Sequence, residues 1–261
     1  MKTKSALSYF GSDSEVAGEL AAMLDHCRHV TIPFVGGASI LPHLKARAIV
    51  GNDKNRQAIN FFRQMSDDQN KHEVIRLCRR TLSHPSEIED AQAIVESQRA
   101  ETALDAWAYW AVCWIGRKGK GGTVNEGGVP SIRWAADGGN NASRIKAAAE
   151  DLEKWSEHFR DCEWTQTDFR EVLLKVKDRN DCGVYCDPPW IGAGDSYRYS
   201  FVRRDHEDLY SLVNEYDNAT VALRNGDDPF IRSLYCGWNI IEASSRTQSN
   251  SVKGEIWITN K

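Results

Sequence analysis

Gly183-Val184-Tyr185-Cys186-Asp187-Pro188-Pro189-Trp190 constrains the fold of this 261-residue chain more than any other stretch. The apolar run Val184-Tyr185-Cys186 reads as a short buried strand. The two prolines must end it, because neither has an N–H to give to a ladder. Open α/β sheets place their ligands at the carboxyl ends of their strands. Here that position holds a carboxylate, two rigid carbonyl-bearing residues and an indole. The carboxylate and a proline carbonyl accept hydrogen bonds in fixed directions, and Trp190 offers a flat stacking face. Together they suit a planar ring carrying an exocyclic NH2 group. The plainer alternative is a strand-to-loop turn with an incidental Asp-Pro-Pro, and both readings stay open on these residues alone.

Other strands end in comparable chemistry. Residues 29–35 read as a strand running into Gly36-Gly37-Ala38-Ser39. Small residues there let a ligand approach the backbone and leave amide groups free for polar atoms. The spacing is neither Gly-x-Gly-x-x-Gly nor a Walker loop, which counts against a dehydrogenase or an NTPase. Residues 48–53 form a second strand closed by Asp53, placed to take both hydroxyls of a ribose. Asp53 also has a purely structural reading, as the N-cap of a helix over residues 55–65. Residues 163–167 alternate and end at Asp168-Phe169. Further strands are expected at 220–223, 238–242 and 255–259, with helices at 14–27, 205–216 and 229–235. No helix links the last two strands, so they predict an antiparallel hairpin at the edge of an otherwise parallel sheet.

Between residues 60 and 159 the strand–helix alternation stops. Helices are expected at 71–80, 87–99, 102–115 and 142–159. Trp107, Trp110 and Trp114 fall at helical spacing and read as a packed face rather than a binding platform. The interval from Arg117-Lys118-Gly119-Lys120-Gly121-Gly122 to Arg133 combines positive charge with glycine. It is either a solvated loop or a contact for phosphates and base edges. Composition matters here: the formal net charge is -4, so nucleic-acid contact must come from a local basic patch. Seven cysteines without a Cys-x-x-Cys suggest reduced thiols in a cytoplasmic protein. His26, Cys27 and His29 lack a second ligand pair at zinc-like spacing, so no metal is expected. No apolar run reaches membrane-span length and no secretory signal follows Met1, so no membrane association is expected.

In this order and spacing, the motifs closely resemble those of the Dam-type (alpha-group) adenine-N6 DNA methyltransferases, including the orphan enzymes common in phages and prophages. The similarity runs along essentially the whole chain. Tyr9-Phe10-Gly11-Ser12 resembles the family's amino-terminal cofactor motif, residues 33–39 its glycine motif, and Asn52-Asp53 its ribose motif. Asp168-Phe169 resembles the cofactor-adenine motif, and Asp187-Pro188-Pro189-Trp190 the catalytic motif. The chain departs from the family at three positions. Asp13 stands where members commonly have Lys, Ile32 where an acidic residue usually precedes Pro-Phe, and Trp190 where Tyr is more frequent.

The resemblance implies a Rossmann-like methyltransferase sheet with an antiparallel C-terminal hairpin, formed by residues 1–55 and 161–261. A mostly helical target-recognition region, residues 56–160, is inserted in it. S-adenosylmethionine is the expected cofactor, bound through Tyr9, Phe10, Gly11, Phe34, Gly36, Gly37, Ala38, Ser39, Asp53, Asp168, Phe169 and Asp187. Double-stranded DNA is the expected partner, contacted through Arg117, Lys118, Lys120 and Arg133; the oligomeric state and recognition sequence stay open. The expected reaction is methyl transfer to N6 of an adenine flipped out of its duplex, in the cytoplasm of a bacterial cell or phage-infected host. Methylation of RNA adenine or of cytosine N4, and a degenerate fold that only holds DNA, are the alternatives. Asp187 favours adenine, since Ser is frequent at that place in cytosine-N4 enzymes.

Overall fold

The computed structural model describes residues 5–9, 16–116, 139–192, 199–246 and 252–261. The chain divides into two compact units. A helical unit takes Met1–Ser14, Gly36–Pro42 and Asn55–Trp164, and a sheet unit takes Glu15–Val35, His43–Lys54 and Thr165–Lys261.

The seven-stranded sheet has the order β3-β2-β1-β4-β5-β7-β6. Its strands are β1 (His29–Ile32), β2 (Ala48–Asn52), β3 (Cys162–Thr165), β4 (Cys182–Cys186), β5 (Thr220–Gly226), β6 (Asn239–Arg246) and β7 (Val252–Thr259). β1 runs parallel to both β2 and β4, and β4 parallel to β5. β7 is antiparallel to β5 on one side and to β6 on the other. The expected mixed sheet with its antiparallel pair is therefore present. The chain leaves β1 toward β2 and returns on the other side as β4, so strand order reverses between β1 and β4. In open α/β sheets such a reversal is where ligands bind, beyond the carboxyl ends of the two strands.

β4 is buried along its whole length, as a central parallel strand should be. On one face of the sheet Val184, Cys186, Val221, Leu223, Ile256 and Ile258 meet apolar side chains of three helices. These are α7 (Phe169–Leu173), α8 (Arg203–Val213) and α9 (Pro229–Leu234). α7 was not expected from the sequence; five residues are too few to show a helical period. α1 (Ala17–Ala22) stops well short of residue 27, because the chain tightens into three-residue turns such as Leu24 N–H to Ala21 O, 2.9 Å. α8 begins before its acidic cluster, and Asp205 accepts the Val202 N–H from inside the first turn at 2.8 Å.

The helical unit is built on α5 (Ala103–Ile115), which is buried from Asp105 onward and packs against α2 (Arg56–Ser66), α3 (Asn70–Arg80), α4 (Pro85–Glu96) and α6 (Asn141–Arg160). Its start is a reciprocal capping box: Asp105 N–H donates to Thr102 Oγ1 at 3.2 Å, and Thr102 N–H to Asp105 Oδ2 at 2.9 Å. The tryptophan stripe is core, as its spacing suggests. Trp107 Nε1 donates to Thr81 Oγ1 at 2.7 Å, Trp114 Nε1 to Ala6 O at 3.1 Å, and Trp110 is fully buried. α2 corrects one expectation: its N-cap is Asn55, whose side chain accepts the Gln57 N–H at 3.1 Å, and not Asp53. Asp53 lies two residues too early to reach the first free amides of that helix.

Candidate active site

In the sheet unit, β1 and β2 end beside one another and a single side chain ties their exits together. Asn52 is fully buried. Its Nδ2 donates to Pro33 O at 3.0 Å and Thr167 O at 3.1 Å. Its Oδ1 accepts from Thr165 Oγ1 at 2.9 Å and Thr167 N–H at 3.0 Å. One amide thus ties the backbone at Pro33 to that at Thr167, just before Asp168, leaving no buried polar group of its own unpaired. Asp53 follows directly, half-buried, with its N–H donating to Thr165 O at 3.4 Å.

Phe34 and Asp168-Phe169 come together as the sequence suggests. The rings of Phe34 and Phe169 lie 5.2 Å apart, and Phe201 joins both at 5.5 Å. Asp168 caps α7 by accepting the Arg170 N–H at 3.1 Å, and the same carboxylate oxygen takes Arg170 Nη1 at 3.0 Å. Arg170 is itself fixed by Asp205 and Asp208 and lies over the Phe169 ring at 4.3 Å. Burial works to raise the Asp168 pKa. The Arg170 amide and guanidinium and the nearby Lys54 ammonium outweigh it and hold the carboxyl below its usual range. An ionised acceptor beside a patch of aromatic surface fits an amino-bearing purine.

The second group lies at the end of β4. Pro188 is buried, while Asp187, Pro189 and Trp190 are half-buried. Trp190 turns its indole N–H back to Asp187 Oδ1 at 3.3 Å, supplying a donor to the carboxylate. Arg224 of β5 reaches Asp187 Oδ2 with Nη1 at 3.4 Å and lies 5.4 Å from the Trp190 ring centre. Glu255 of β7 holds the other side of that guanidinium through Nε and Nη2, each at 2.8 Å. Trp257 Nε1 donates to Glu255 Oε1 at 2.7 Å. Desolvation pushes the Asp187 pKa up, Arg224 and the Trp190 N–H pull it down, and Glu255 adds to the rise; the net direction is upward. Arg224 remains a cation, because its two carboxylate neighbours outweigh the burial that would lower its pKa. The carboxylate keeps 24% of its side chain open, so a substrate can reach it.

In the helical unit, Gly36 has a φ of +51°, a conformation that favours glycine, and the Tyr9 ring lies against it. A Cβ built on Gly36 would sit 3.4 Å from Tyr9 Cδ1. Asn55 Nδ2 points to Tyr9 OH at 3.4 Å. Gly37 and Ala38 are buried and Ser39 is half-buried. Phe10, Gly11, Arg117, Lys118, Lys120 and Arg133 lie outside the described residues. Among the described residues, no group of acidic, histidine or cysteine side chains could hold a metal, and no helix is long and apolar enough to cross a membrane.

Sequence reasoning named Asn52 only as part of the ribose motif, without its bonds to Pro33 and Thr167, and missed Arg170, Arg224 and Glu255. The two charges in β5 and β7 did carry a signal: each borders the apolar run of its strand, and a buried charge needs an opposite partner.

A search of curated proteins finds no match. Residues 133–248 match the family model described as D12 class N6 adenine-specific DNA methyltransferase, a span that holds Asp168, the Asp187–Trp190 stretch and Arg224. Over that span the chain is similar to the D12 class N6 adenine-specific DNA methyltransferases, which supports DNA adenine-N6 methylation with S-adenosylmethionine, the family's methyl donor.

Proposed function

We propose that Asp187 and the Pro188 carbonyl receive the NH2 group of a flipped adenine, with Trp190 stacked on the base. The observation that carries this is the Asp187 carboxylate at the end of β4, held on both oxygens yet still open to a substrate. The adenine amino lone pair is delocalised into its ring and is a weak nucleophile. Hydrogen bonds to two fixed acceptors localise it and aim it, so orientation supplies much of the acceleration. When bound, S-adenosylmethionine supplies an electrophilic methyl group on a sulfonium. That chemistry would give the amino nitrogen its N–C bond and leave the electron pair of the S–C bond on sulfur. Asp187 stabilises the positive charge growing on nitrogen and passes the surplus proton to water. A base inside a duplex cannot reach such a pocket, so the reaction requires flipping.

Phe34, Asp168 and Phe169 are assigned to the cofactor's adenine and Asp53 to its ribose. Tyr9, Phe10, Gly11, Gly36, Gly37, Ala38 and Ser39 are assigned to the rest of the cofactor. Residues 56–160 are assigned to target recognition, with Arg117, Lys118, Lys120 and Arg133 on the DNA. The test is incubation with labelled cofactor and unmethylated DNA, followed by nucleoside mass analysis. N6-methyladenine is expected from wild type and none from Asp187→Ala, which should bind cofactor normally by calorimetry. Loss of cofactor binding in a folded Asp187→Ala protein would move Asp187 out of the reaction and into cofactor binding.

A further inference from the structure

We propose that Arg224 is a positioning residue for methyl transfer. Its guanidinium fixes the Asp187 carboxylate, while Glu255 cancels its charge, so that the pocket keeps one net negative charge for the nitrogen being alkylated. This rests on the role of Asp187 given above.

Arg224 and Glu255 are 5% and 0% exposed at their side chains, and such a pair is expensive to bury. Replacing it with apolar residues is often neutral or stabilising, so its retention calls for a reason beyond packing. The geometry gives one. Arg224 spends its Nε and Nη2 on Glu255 at 2.8 Å and reaches Asp187 only with Nη1, at 3.4 Å. It also lies under Trp190, whose indole N–H holds the other Asp187 oxygen. The strongly bound carboxylate is thus the one that does no chemistry, and the loosely bound one faces the substrate.

The charge balance explains why both partners are needed. Arg224 alone beside Asp187 would neutralise the pocket and oppose the cation forming on the amino nitrogen. Two carboxylates without the arginine would drive Asp187 to take up a proton, which removes an acceptor from the amino group. With all three present, the charges sum to one negative. Among the described residues, the other titratable group interacting with both Arg224 and Asp187 is Tyr185 of β4, whose pKa burial holds well above its usual value, so it stays neutral and does not compete.

The test measures single-turnover transfer against pH in Arg224→Met, Arg224→Lys, Glu255→Gln and the double variant Arg224→Met/Glu255→Gln. The glutamine keeps an acceptor for Trp257, and the double variant buries no lone charge, so it remains folded where Arg224→Met alone fails. The acid limb of the rate should move up by about 1–3 pH units in Arg224→Met, with much of the lost rate recovered at high pH. It should move down in Glu255→Gln, with a lower plateau, because Arg224 then pairs fully with Asp187. Arg224→Lys should recover part of the rate. The double variant should be as stable as wild type yet slow. A folded double variant with wild-type rate and pH profile, or an acid limb unmoved in both Arg224→Met and Glu255→Gln, would overturn the proposal. An active Asp187→Ala would instead overturn the reading beneath it, so the two failures can be told apart.

Discussion

Gly226 closes β5 under the face of Trp190, and adding one methyl group there should slow catalysis without unfolding the protein. A Cβ at Gly226 would lie 3.0 Å from Trp190 Cε3, where ordinary contact begins at 3.4 Å. The backbone cannot yield, because Gly226 is held opposite Glu255 in the β5–β7 ladder. The half-buried indole therefore has to move, by the 0.4 Å between 3.0 and 3.4 Å. Its N–H lies 3.3 Å from Asp187 Oδ1, so the same movement takes it out of hydrogen-bond reach. A bond to a charged acceptor contributes about 1.5–3 kcal/mol, which converts to a loss of about 10- to 150-fold in rate. Gly226→Ala should show that loss in single-turnover transfer, with its thermal midpoint and cofactor affinity unchanged. A wild-type rate in the folded variant would refute both the ring displacement and the role of the indole N–H in holding Asp187.

Three further outcomes are expected. Asp53→Ala should raise the KM for S-adenosylmethionine much more than it lowers kcat, the mark of lost uniform binding; a kcat that collapses at saturating cofactor contradicts the ribose assignment. Changing Lys118 and Lys120 together to Ala should reduce the slope of log K for DNA against log salt by about two units, and an unchanged slope would place DNA contact elsewhere. Asp105→Ala should destabilise the fold by about 3 kcal/mol, since Arg99, two backbone N–H groups and the Thr102 hydroxyl all donate to this buried carboxylate. Burial opposes ionisation of Asp105, but those donors hold its pKa below the usual value. Its contribution is therefore complete above the unfolded-state pKa of about 3.9 and fades as pH falls through the lower folded value. Urea titrations at neutral and acid pH should show the gap between wild type and variant closing in acid.

The parts of the site that were legible in the sequence are those encoded locally. An apolar run stopped by Pro188-Pro189 announces both a strand end and the acid placed on it. The Asp168-Phe169 pair announces itself in the same way, although the sequence did not show that Asp168 also caps α7. Asp53 shows the limit of local reading: its chemistry suits a helix cap, but the turn geometry gave that task to Asn55. Asn52 reaches Thr167, 115 residues away, and Arg224 reaches Glu255, 31 residues away. Partnerships of that kind are fixed by sheet order, which no local period reveals.

β7 is the last of the seven strands in chain order, yet it lies in the interior of the sheet between β5 and β6. Until β7 pairs, β6 has no place in the sheet, because its ladder is with β7. During that interval β5 presents an open ladder edge, and Arg224 has no Glu255 to meet. Open edges of this kind invite pairing with other chains. The strand that completes the charge balance of the pocket is thus also the one that closes the edge of β5 and joins β6 to the sheet.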